Sequence, residues 1–325
     1  MTVKRFQDAQ VRFNSSNAVY VNAASRALFG GGGTSGGNKS NVIDYVTITT
    51  TGNATDFGDL TVARETPGAG SSSTRGVFGG GTDGSASNVI DYVAIVTIGN
   101  ATDFGDLTVA RYNFSALSNS TRCIWGGGST SGGQQNVLDY VTIATTGNAT
   151  DFGDLYNPTA QSGNRQGMGT AASTTRGLWA GGNNGNSDWM NYIDYITIAT
   201  TGNATNFGTL TESVYSRQNC NASSSTRGIF GGGNVGGANS TTVEYVTIAS
   251  TGNATDFGDL TVARRWITGT SDSVTAVFAG GYANDYSNVI DYLSISSGGN
   301  ATDFGDCTVT AYGRSACSGG HGGIE

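Results

Sequence analysis

The triplet Asp-Phe-Gly is the first feature of this sequence that suggests chemistry, and it occurs five times. A protein kinase uses one such triplet to hold Mg²⁺, together with an H-R-D loop and a V-A-I-K lysine that this sequence lacks. Neighbouring acids such as Asp56 and Asp59 could bind calcium, but Asn206 and Thr209 stand at those places in the fourth copy. We therefore expect the acids to cap turns or to form exposed ion pairs with repeated arginines such as Arg64, Arg75 and Arg122.

A second set of acids precedes a tyrosine in each copy of a repeated segment: Asp44, Asp91, Asp139, Asp194, Glu244 and Asp291. A catalytic carboxylate would be unique to one copy, so this recurrence predicts a structural role in every repeat. No pair among these acids stands out as the two carboxylates of a glycosidase.

The remaining reactive residues form no catalytic constellation. His321 is the only histidine and lies in a glycine run, which argues against a Ser-His-Asp triad and against a metal centre with several histidine ligands. The glycine-rich runs lack a following Lys-Ser/Thr, so they are not phosphate loops. The N-A-T triplets match glycosylation acceptors, but their place after glycine predicts hairpin turns. We expect no enzymatic activity, no cofactor and no metal.

Composition narrows the class of protein further. The chain has 325 residues, of which 52 are glycine, and a formal net charge of −8 with a pI near 4.6. The acidic balance disfavours nucleic-acid binding, which needs a basic face. The sequence contains no run of about 18 apolar residues that would predict a transmembrane helix. Its first residues, MTVKRFQDAQVRF, contain no apolar signal-peptide core.

An internal repeat decides the architecture. The six copies are centred on tyrosines spaced 47, 48, 55, 50 and 47 residues apart: Tyr45, Tyr92, Tyr140, Tyr195, Tyr245 and Tyr292. Periods of this length are typical of propellers. Each copy contains four short β-rich segments separated by Gly/Asn turns, which in the third copy are Phe114–Ser120, Cys123–Gly127, Val137–Thr145 and a segment around Phe152–Leu155. We predict an all-β, six-bladed β-propeller of four-stranded antiparallel blades.

The repeat resembles the kelch repeat. Two glycines follow an aliphatic-aromatic strand, an acid-Tyr strand comes next, and an aromatic residue precedes a leucine by three. Phenylalanine stands where kelch repeats usually have tryptophan, at Phe57, Phe104, Phe152, Phe207, Phe257 and Phe304. Strings such as DFGDLTVAR and SNSTR are similar to the glycine-rich kelch-like repeats of virion proteins from tailed phages, marine phages in particular. The resemblance implies a virion protein that is made in the host cytoplasm and released by lysis without a signal peptide.

The repeats predict a single domain. We expect residues 19–325 to form one propeller and residues 1–18 to form an N-terminal arm. The arm, with Phe6 and Phe13, is a candidate docking segment; the alternative is an ordinary peripheral strand. Either terminus could supply the innermost strand of the first blade, and we favour the C-terminal segment, residues 314–320, which would close the ring.

The four cysteines lack the spacing of a zinc site. We expect free thiols, because no export signal is present. Cys307 replaces a leucine and is predicted to be buried, whereas Cys220 and Cys317 fall in innermost strands and are expected to line the central channel.

The two ends of the propeller differ in variability. One end carries G-N-A-T turns that are nearly identical in all copies, and the other carries loops that vary in length and composition. Variation confined to one face predicts an interaction surface. The candidate surface residues, mostly aromatic, are Tyr156, Asp188, Trp189, Met190, Tyr192, Trp266, Tyr282 and Tyr286. Local packing beneath the loops is the alternative explanation for these aromatic residues.

Together these features predict a non-enzymatic structural or interaction protein of a phage virion, associated with its capsid or tail. Its partners would be other virion proteins and, through the variable face, a host-surface protein or glycan. We expect neither nucleic-acid binding nor membrane insertion, and the particle could impose an oligomer. A glycan-binding or glycan-active propeller is one alternative, and a cellular kelch adaptor for protein–protein contacts is another.

Overall fold

The structure is a computed structural model that describes residues 25–156, 164–185, 188–217 and 221–324. These residues form six four-stranded antiparallel sheets and two small hairpins. The sheets are arranged as the blades of a six-bladed β-propeller, which confirms the predicted fold class. In each blade we call the four strands A to D, from the central axis outward.

The strands of the first three blades have closely similar lengths. Blade 1 consists, from A to D, of β28 (Ser315–Ser318), β1 (Arg26–Gly30), β2 (Val42–Thr47) and β3 (Thr55–Asp59). Blade 2 consists of β4 (Gly68–Ser71), β5 (Arg75–Gly79), β6 (Val89–Ala94) and β7 (Thr102–Asp106). Blade 3 consists of β8 (Ser115–Ser118), β9 (Arg122–Gly126), β12 (Val137–Thr142) and β13 (Thr150–Asp154).

The other three blades repeat this pattern. Blade 4 consists of β14 (Gly169–Ala172), β15 (Arg176–Ala180), β16 (Tyr192–Thr197) and β17 (Thr205–Thr209). Blade 5 consists of β18 (Ala222–Ser223), β19 (Arg227–Gly231), β22 (Thr242–Thr247) and β23 (Thr255–Asp259). Blade 6 consists of β24 (Thr268–Ser271), β25 (Thr275–Ala279), β26 (Val289–Ser294) and β27 (Thr302–Asp306). The B–C loops add a 3₁₀ turn (Ser35–Gly37) and the short hairpin strands β10 (Ser129–Thr130), β11 (Gly133–Gln134), β20 (Asn234–Val235) and β21 (Ala238–Asn239).

Strand D contains a β-bulge at the Asp-Phe-Gly triplet. In blade 1 the pairing register shifts between Ile43 and Asp44, so that Phe57 is left over between the paired residues Asp56 and Gly58. The bulge turns this phenylalanine towards the interior. There it is fully buried and meets the tyrosine of strand C edge-on, with ring centroids 6.0 Å apart. The triplet therefore serves packing within each blade.

The apolar core lies between the blades. Leu28 and Phe57 of blade 1 cluster with Ala69 and Phe78 of blade 2, and corresponding clusters fill the other junctions. A single four-stranded blade cannot cover both of its faces, so each blade is stable only beside its neighbours.

The double glycine after strand B allows adjacent blades to touch through their backbones. Gly31 and Gly32 have φ values of +70° and +116°, in the region that favours glycine. The Gly32 N–H donates to the Arg64 carbonyl at 2.9 Å. A Cβ on Gly31 would lie 2.6 Å from the same oxygen. The close approach predicted for this motif is therefore present.

The C-terminal segment completes the ring. β28 pairs antiparallel with β1, with Ser315 opposite Gly30 and Ser318 opposite Ala27. The segment that the sequence favours for the innermost strand of the first blade thus forms that strand. The N-terminal arm, including Phe6 and Phe13, lies outside the described residues.

Candidate functional site

Each acid of the acid-Tyr strand forms a buried ion pair with an arginine from the loop that enters its blade. Arg64 donates to Asp91 at 2.8 Å, and both side chains are fully buried. The other pairs are Arg111–Asp139, Arg165–Asp194, Arg217–Glu244, Arg264–Asp291 and Arg314–Asp44. Burial lowers the pKa of Arg64, and the Asp91 carboxylate opposes that shift. The fold therefore uses these acids in every blade.

The prediction that the repeated arginines form exposed ion pairs with the acids of the turns is wrong. Arg64 pairs with the buried Asp91, not with an exposed acid of its neighbouring turn. Arg75 and Arg122 each lie over the tyrosine of their own blade, 4.6 Å from the ring centroid. Both donate to a backbone carbonyl just after strand C of the next blade. In blade 6, Thr275 replaces this arginine, so the junction with blade 1 lacks the contact.

The arginine of the buried pair comes from either of two positions in its loop. In blades 2, 3, 4 and 6 it is the first of four residues, and the fourth is apolar, as in Arg111 and Phe114. In blades 1 and 5 the first residue is apolar and the fourth is arginine, as in Ala311 and Arg314. Both arrangements supply one guanidinium and one apolar side chain to the same region of the blade.

The G-N-A-T turns also join neighbouring blades. The side-chain oxygen of Asn100 accepts the Asp59 backbone N–H at 3.1 Å, and the Gly99 N–H donates to the Phe57 carbonyl at 2.9 Å. The asparagine contact recurs at the other junctions. A Cβ on Gly58, whose φ is +143°, would lie 2.5 Å from the Gly99 carbonyl oxygen. The N-A-T asparagines therefore hold the outer edge of the preceding blade in addition to forming turns.

On the variable face, six turn residues just before the strands A form a hydrogen-bonded circle around the axis, in which the Arg217 N–H makes the step from Ser216 to the Gly167 carbonyl at 3.2 Å: Thr66, Asn113, Gly167, Ser216, Trp266 and Gly313. All have left-handed φ values, between +51° and +69°. The Trp266 N–H donates to the Ser216 carbonyl at 2.7 Å, and the Gly313 N–H donates to the Trp266 carbonyl at 2.9 Å. Trp266 is the bulky member of the circle, and a left-handed backbone is unfavourable for such a residue.

Trp266 belongs to a closed set of four aromatic rings, which we call the aromatic circuit. Its ring centroid lies 6.1 Å from that of Tyr282 and 5.0 Å from that of Tyr312. Tyr286 completes the circuit, 5.9 Å from Tyr282 and 5.5 Å from Tyr312. All four side chains are half-buried. They come from the loops into blades 6 and 1 and from the B–C loop of blade 6.

Arg265 stacks on the aromatic circuit. Its guanidinium carbon lies 4.6 Å from the Trp266 ring centroid and 5.0 Å from that of Tyr282. Its Nε is buried and has no hydrogen-bond partner. Unlike the arginines of the six buried pairs, this side chain forms no ion pair within the part of the chain that the structure describes.

A groove of about 720 Å³ runs along the variable face beside the aromatic circuit. Its lining includes Lys39, Glu65, Thr82, Tyr112 and Thr130. Lys39 and Glu65 form an ion pair of 2.7 Å. Glu65 also lies beside Tyr312, whose pKa is raised by burial and by this carboxylate. Tyr312 thus connects the aromatic circuit with the groove.

The remaining predicted surface residues belong to blade 4 and its entry loop: Tyr156, Asp188, Trp189, Met190 and Tyr192. Tyr156 packs partly against the core, and its N–H donates to Asp194 at 3.1 Å, as local packing would require. Asp188 is exposed and accepts a hydrogen bond from Asn184 at 3.0 Å. Among the described residues, no ring contact links this group to the aromatic circuit. The structure therefore divides the predicted surface into two groups.

Sequence reasoning missed Arg265, Tyr312 and Glu65. Each immediately precedes a member of the hydrogen-bonded circle, a position that the other loops fill with Tyr112, Gln166 and Tyr215. Aligning the six loops residue by residue would show this position and the concentration of aromatic residues next to blades 6 and 1. Loop length, which singles out blade 4, is the weaker guide.

The opposite end of the channel is covered by the C-terminal residues. The Gly322 N–H donates to the Ser223 carbonyl at 3.0 Å. His321 is fully buried, with its Nε2 3.1 Å from the Ser118 hydroxyl. Because His321 Nδ1 accepts the Gly323 N–H, Nε2 carries the proton and donates to Ser118. A general base that activates a serine needs the reverse arrangement.

The cysteines have structural positions. Cys123, Cys307 and Cys317 are free and buried. Cys317 packs with Leu28 in the core between blades 1 and 2, so the expectation that it lines the channel is wrong. Burial raises the pKa of Cys307 to about 11 and that of Cys317 to about 12, which makes both thiols unreactive at neutral pH. Cys220 lies outside the described residues.

The described ranges contain no group of three His, Cys, Asp or Glu side chains suited to a metal ion. No helix within them is long and apolar enough to cross a membrane. No protein-family model and no curated protein matches the chain.

Proposed function

We propose that this protein is a non-enzymatic interaction module of a tailed-phage virion, with kelch-like repeats, and that it binds a partner through the variable face. The observation that carries the proposal is the aromatic circuit, which within the described ranges occurs at one of the six similar junctions between blades. Tryptophan, tyrosine and arginine are the residues that contribute most to binding at protein surfaces.

The charged side chains that recur in every blade are used for contacts inside the fold, which supports a binding role over a catalytic one. The acids of the acid-Tyr strands are all buried in ion pairs with arginine. His321 is buried at the other end of the channel and already donates its proton to Ser118. The variable face near the axis instead presents aromatic, amide and hydroxyl side chains.

The phage assignment is supported by the repeat strings DFGDLTVAR and SNSTR. The difference between the two faces suits a protein that is mounted at one end. The face with the G-N-A-T turns carries Val96 and Ile98, which are 44% and 55% exposed. The equivalent turns of other blades have threonine, alanine or serine at the place of Val96, such as Thr49, Ala144 and Ser296. We propose that this face contacts the particle and leaves the variable face free.

Mass spectrometry of gradient-purified virions tests the assignment. We expect the chain to co-purify with the particles of the phage that encodes it, at a constant copy number, and antibodies to label one place on the capsid or tail. A protein that is made during infection but is missing from purified particles would contradict the proposal.

Two variants test whether the variable face binds the partner. Trp266→Ser introduces the residue that Ser216 provides in blade 5, so we expect it to fold and to remain on the particle while binding of particles to host cells falls. Trp189→Ala, on the same face but outside the aromatic circuit, is the matched control. Equal binding by both variants and the wild type would argue against the aromatic circuit as the contact site.

A further inference from the structure

We infer that the aromatic circuit, together with Arg265, is a binding site for an acidic saccharide. The inference rests on the proposed function, because it names the class of ligand that the variable face would take. It concerns one junction, where the loops into blades 6 and 1 meet the B–C loop of blade 6.

Comparison with the other blades tests whether the aromatic circuit has a purely structural role. The residue at the place of Trp266 is small or polar in every other blade, and so is the residue at the place of Tyr282: Gly33, Thr82, Ser129, Asn183 and Asn234. As far as the described residues show, the other five junctions therefore fold without an aromatic circuit. Trp266 also holds a φ of +51°, which is costly for a bulky side chain. Folding alone does not require that cost.

The arrangement of the rings suits a sugar. Neighbouring rings meet edge-on or tilted, with interplanar angles from 36° to 87°, and not as parallel stacks. Each ring is only half-buried, so part of its surface is exposed and can pack against the C–H groups on the face of a pyranose. Sugar hydroxyls also need donors and acceptors. On the same face the amides of Gln166 and Asn183 meet at 3.1 Å, and the Tyr215 hydroxyl hydrogen-bonds Trp266.

The adjoining groove provides room for more than one sugar unit. Its volume is about 720 Å³, and threonine and serine hydroxyls line it together with Glu65 and Tyr112. Tyr312 connects it to the aromatic circuit through Glu65. A groove that mixes hydroxyl and apolar side chains beside a few aromatic rings favours an oligosaccharide over a protein, which would need a broader apolar patch.

Arg265 makes the site selective for an acidic sugar. Every other basic side chain in the described ranges forms an ion pair or donates to a backbone carbonyl. Glu65 pairs with Lys39, Asp285 accepts the Tyr286 N–H at 2.8 Å, and neither carboxylate forms an ion pair with Arg265 in the described ranges. The guanidinium of Arg265 therefore lacks a counter-ion, which a carboxylate or phosphate on the saccharide would supply.

Binding of the full chain to a glycan array tests the inference. The array carries neutral glycans and matched glycans that bear uronate, sialate or phosphate groups. We expect binding to acidic members and much weaker binding to their neutral counterparts. Arg265→Gln, which introduces the residue of Gln166, should lower the acidic-over-neutral preference by about tenfold or more. Trp266→Ser should lower binding to all glycans by about tenfold or more. Val274→Ser, at an exposed A–B turn on the opposite end of blade 6, should bind like the wild type, and circular dichroism verifies that each variant folds.

Each other outcome has a defined meaning. Equal binding to acidic and neutral glycans would overturn the acidic selectivity. Absence of glycan binding, or binding that Trp266→Ser leaves unchanged, would overturn the saccharide site. If the chain is still found in purified virions, that result leaves the proposed function intact. If Trp266→Ser abolishes binding to a host-surface protein instead, the site belongs to a protein partner and the inference is wrong.

Discussion

Arg314 and Asp44 are 270 positions apart in the sequence, yet their side chains form a buried ion pair with Nη1 and Oδ2 2.7 Å apart. Arg314 also donates to the Phe29 carbonyl at 2.7 Å. The strand that follows Arg314, β28, pairs with β1. An ion pair and a strand pairing therefore close the ring at the same place, where the last loop of the propeller enters the first blade.

Removing this arginine should destabilise the ring, and moving it by three residues should restore stability. Arg314→Ala leaves the Asp44 carboxylate buried without a cation, which costs about 3–5 kcal/mol in the free energy of unfolding. The double variant Ala311→Arg/Arg314→Phe copies the arrangement of Arg111 and Phe114 from blade 3, and we expect it to recover most of the loss. Urea unfolding followed by circular dichroism measures both. A double variant no more stable than Arg314→Ala would show that the two positions are not interchangeable.

The glycine of the Asp-Phe-Gly triplet should be required by the neighbouring blade as well as by its own backbone. In Gly305→Ala the new Cβ would lie 2.5 Å from the Gly52 carbonyl at a φ of +145°, so we expect a loss of about 2 kcal/mol or more. Gly52→Ala is the matched control, with a φ of +152° and nothing within 4 Å of the Cβ.

The control separates backbone strain from the contact between blades. Gly52→Ala should therefore cost less than Gly305→Ala, and Gly252→Ala, which has open space and no left-handed φ, should be close to the wild type. Thermal unfolding ranks the three variants. Equal losses for Gly305→Ala and Gly52→Ala would mean that the blade-to-blade contact contributes nothing.

Supplying the missing arginine of blade 6 should strengthen its junction with blade 1. In Thr275→Arg the guanidinium can lie over Tyr292, as Arg227 lies over Tyr245 at 4.9 Å, and donate to a carbonyl of blade 1. Such a cation–π contact contributes about 0.5–1 kcal/mol at an exposed site, so the melting temperature should rise by about 2 °C. The converse variant Arg227→Thr should lower it by a similar amount. Calorimetry would contradict the prediction if Thr275→Arg leaves the melting temperature unchanged.

The sequence predicts what lies within a blade far better than what lies between blades. Spacing alone locates four strands per repeat, because turns and β-branched segments recur at fixed intervals. The partner of Arg64 is harder to predict, because Asp91 lies 27 residues further along and only the folded loop brings the two together. The same limit applies to the candidate site. Trp266 and Tyr282 stand out as aromatic residues in variable loops, whereas the role of Tyr312 depends on the loops into blades 6 and 1 meeting at the axis.

Lowering the pH should reduce the free energy of unfolding of the wild type more than that of a variant without a histidine. Burial lowers the pKa of His321 from 6.5 to about 4, partly offset by a hydrogen bond with the Ser71 backbone. Above about pH 6.5 both folded and unfolded chains hold a neutral ring, so nothing is lost. Between about pH 6.5 and pH 4 the histidine is protonated in the unfolded chain but stays neutral in the folded chain. The free energy of unfolding therefore falls by about 3 kcal/mol in total.

His321→Gln isolates this effect, because every other titrating group is common to both proteins and glutamine can still donate to Ser118. The difference in unfolding free energy between wild type and His321→Gln should be constant above about pH 6.5 and should shift against the wild type as the pH falls to about 4. Urea unfolding at several pH values measures it. Parallel curves over this range would show that His321 is not held neutral in the folded chain, and therefore that the C-terminal residues do not seal this end of the channel from water.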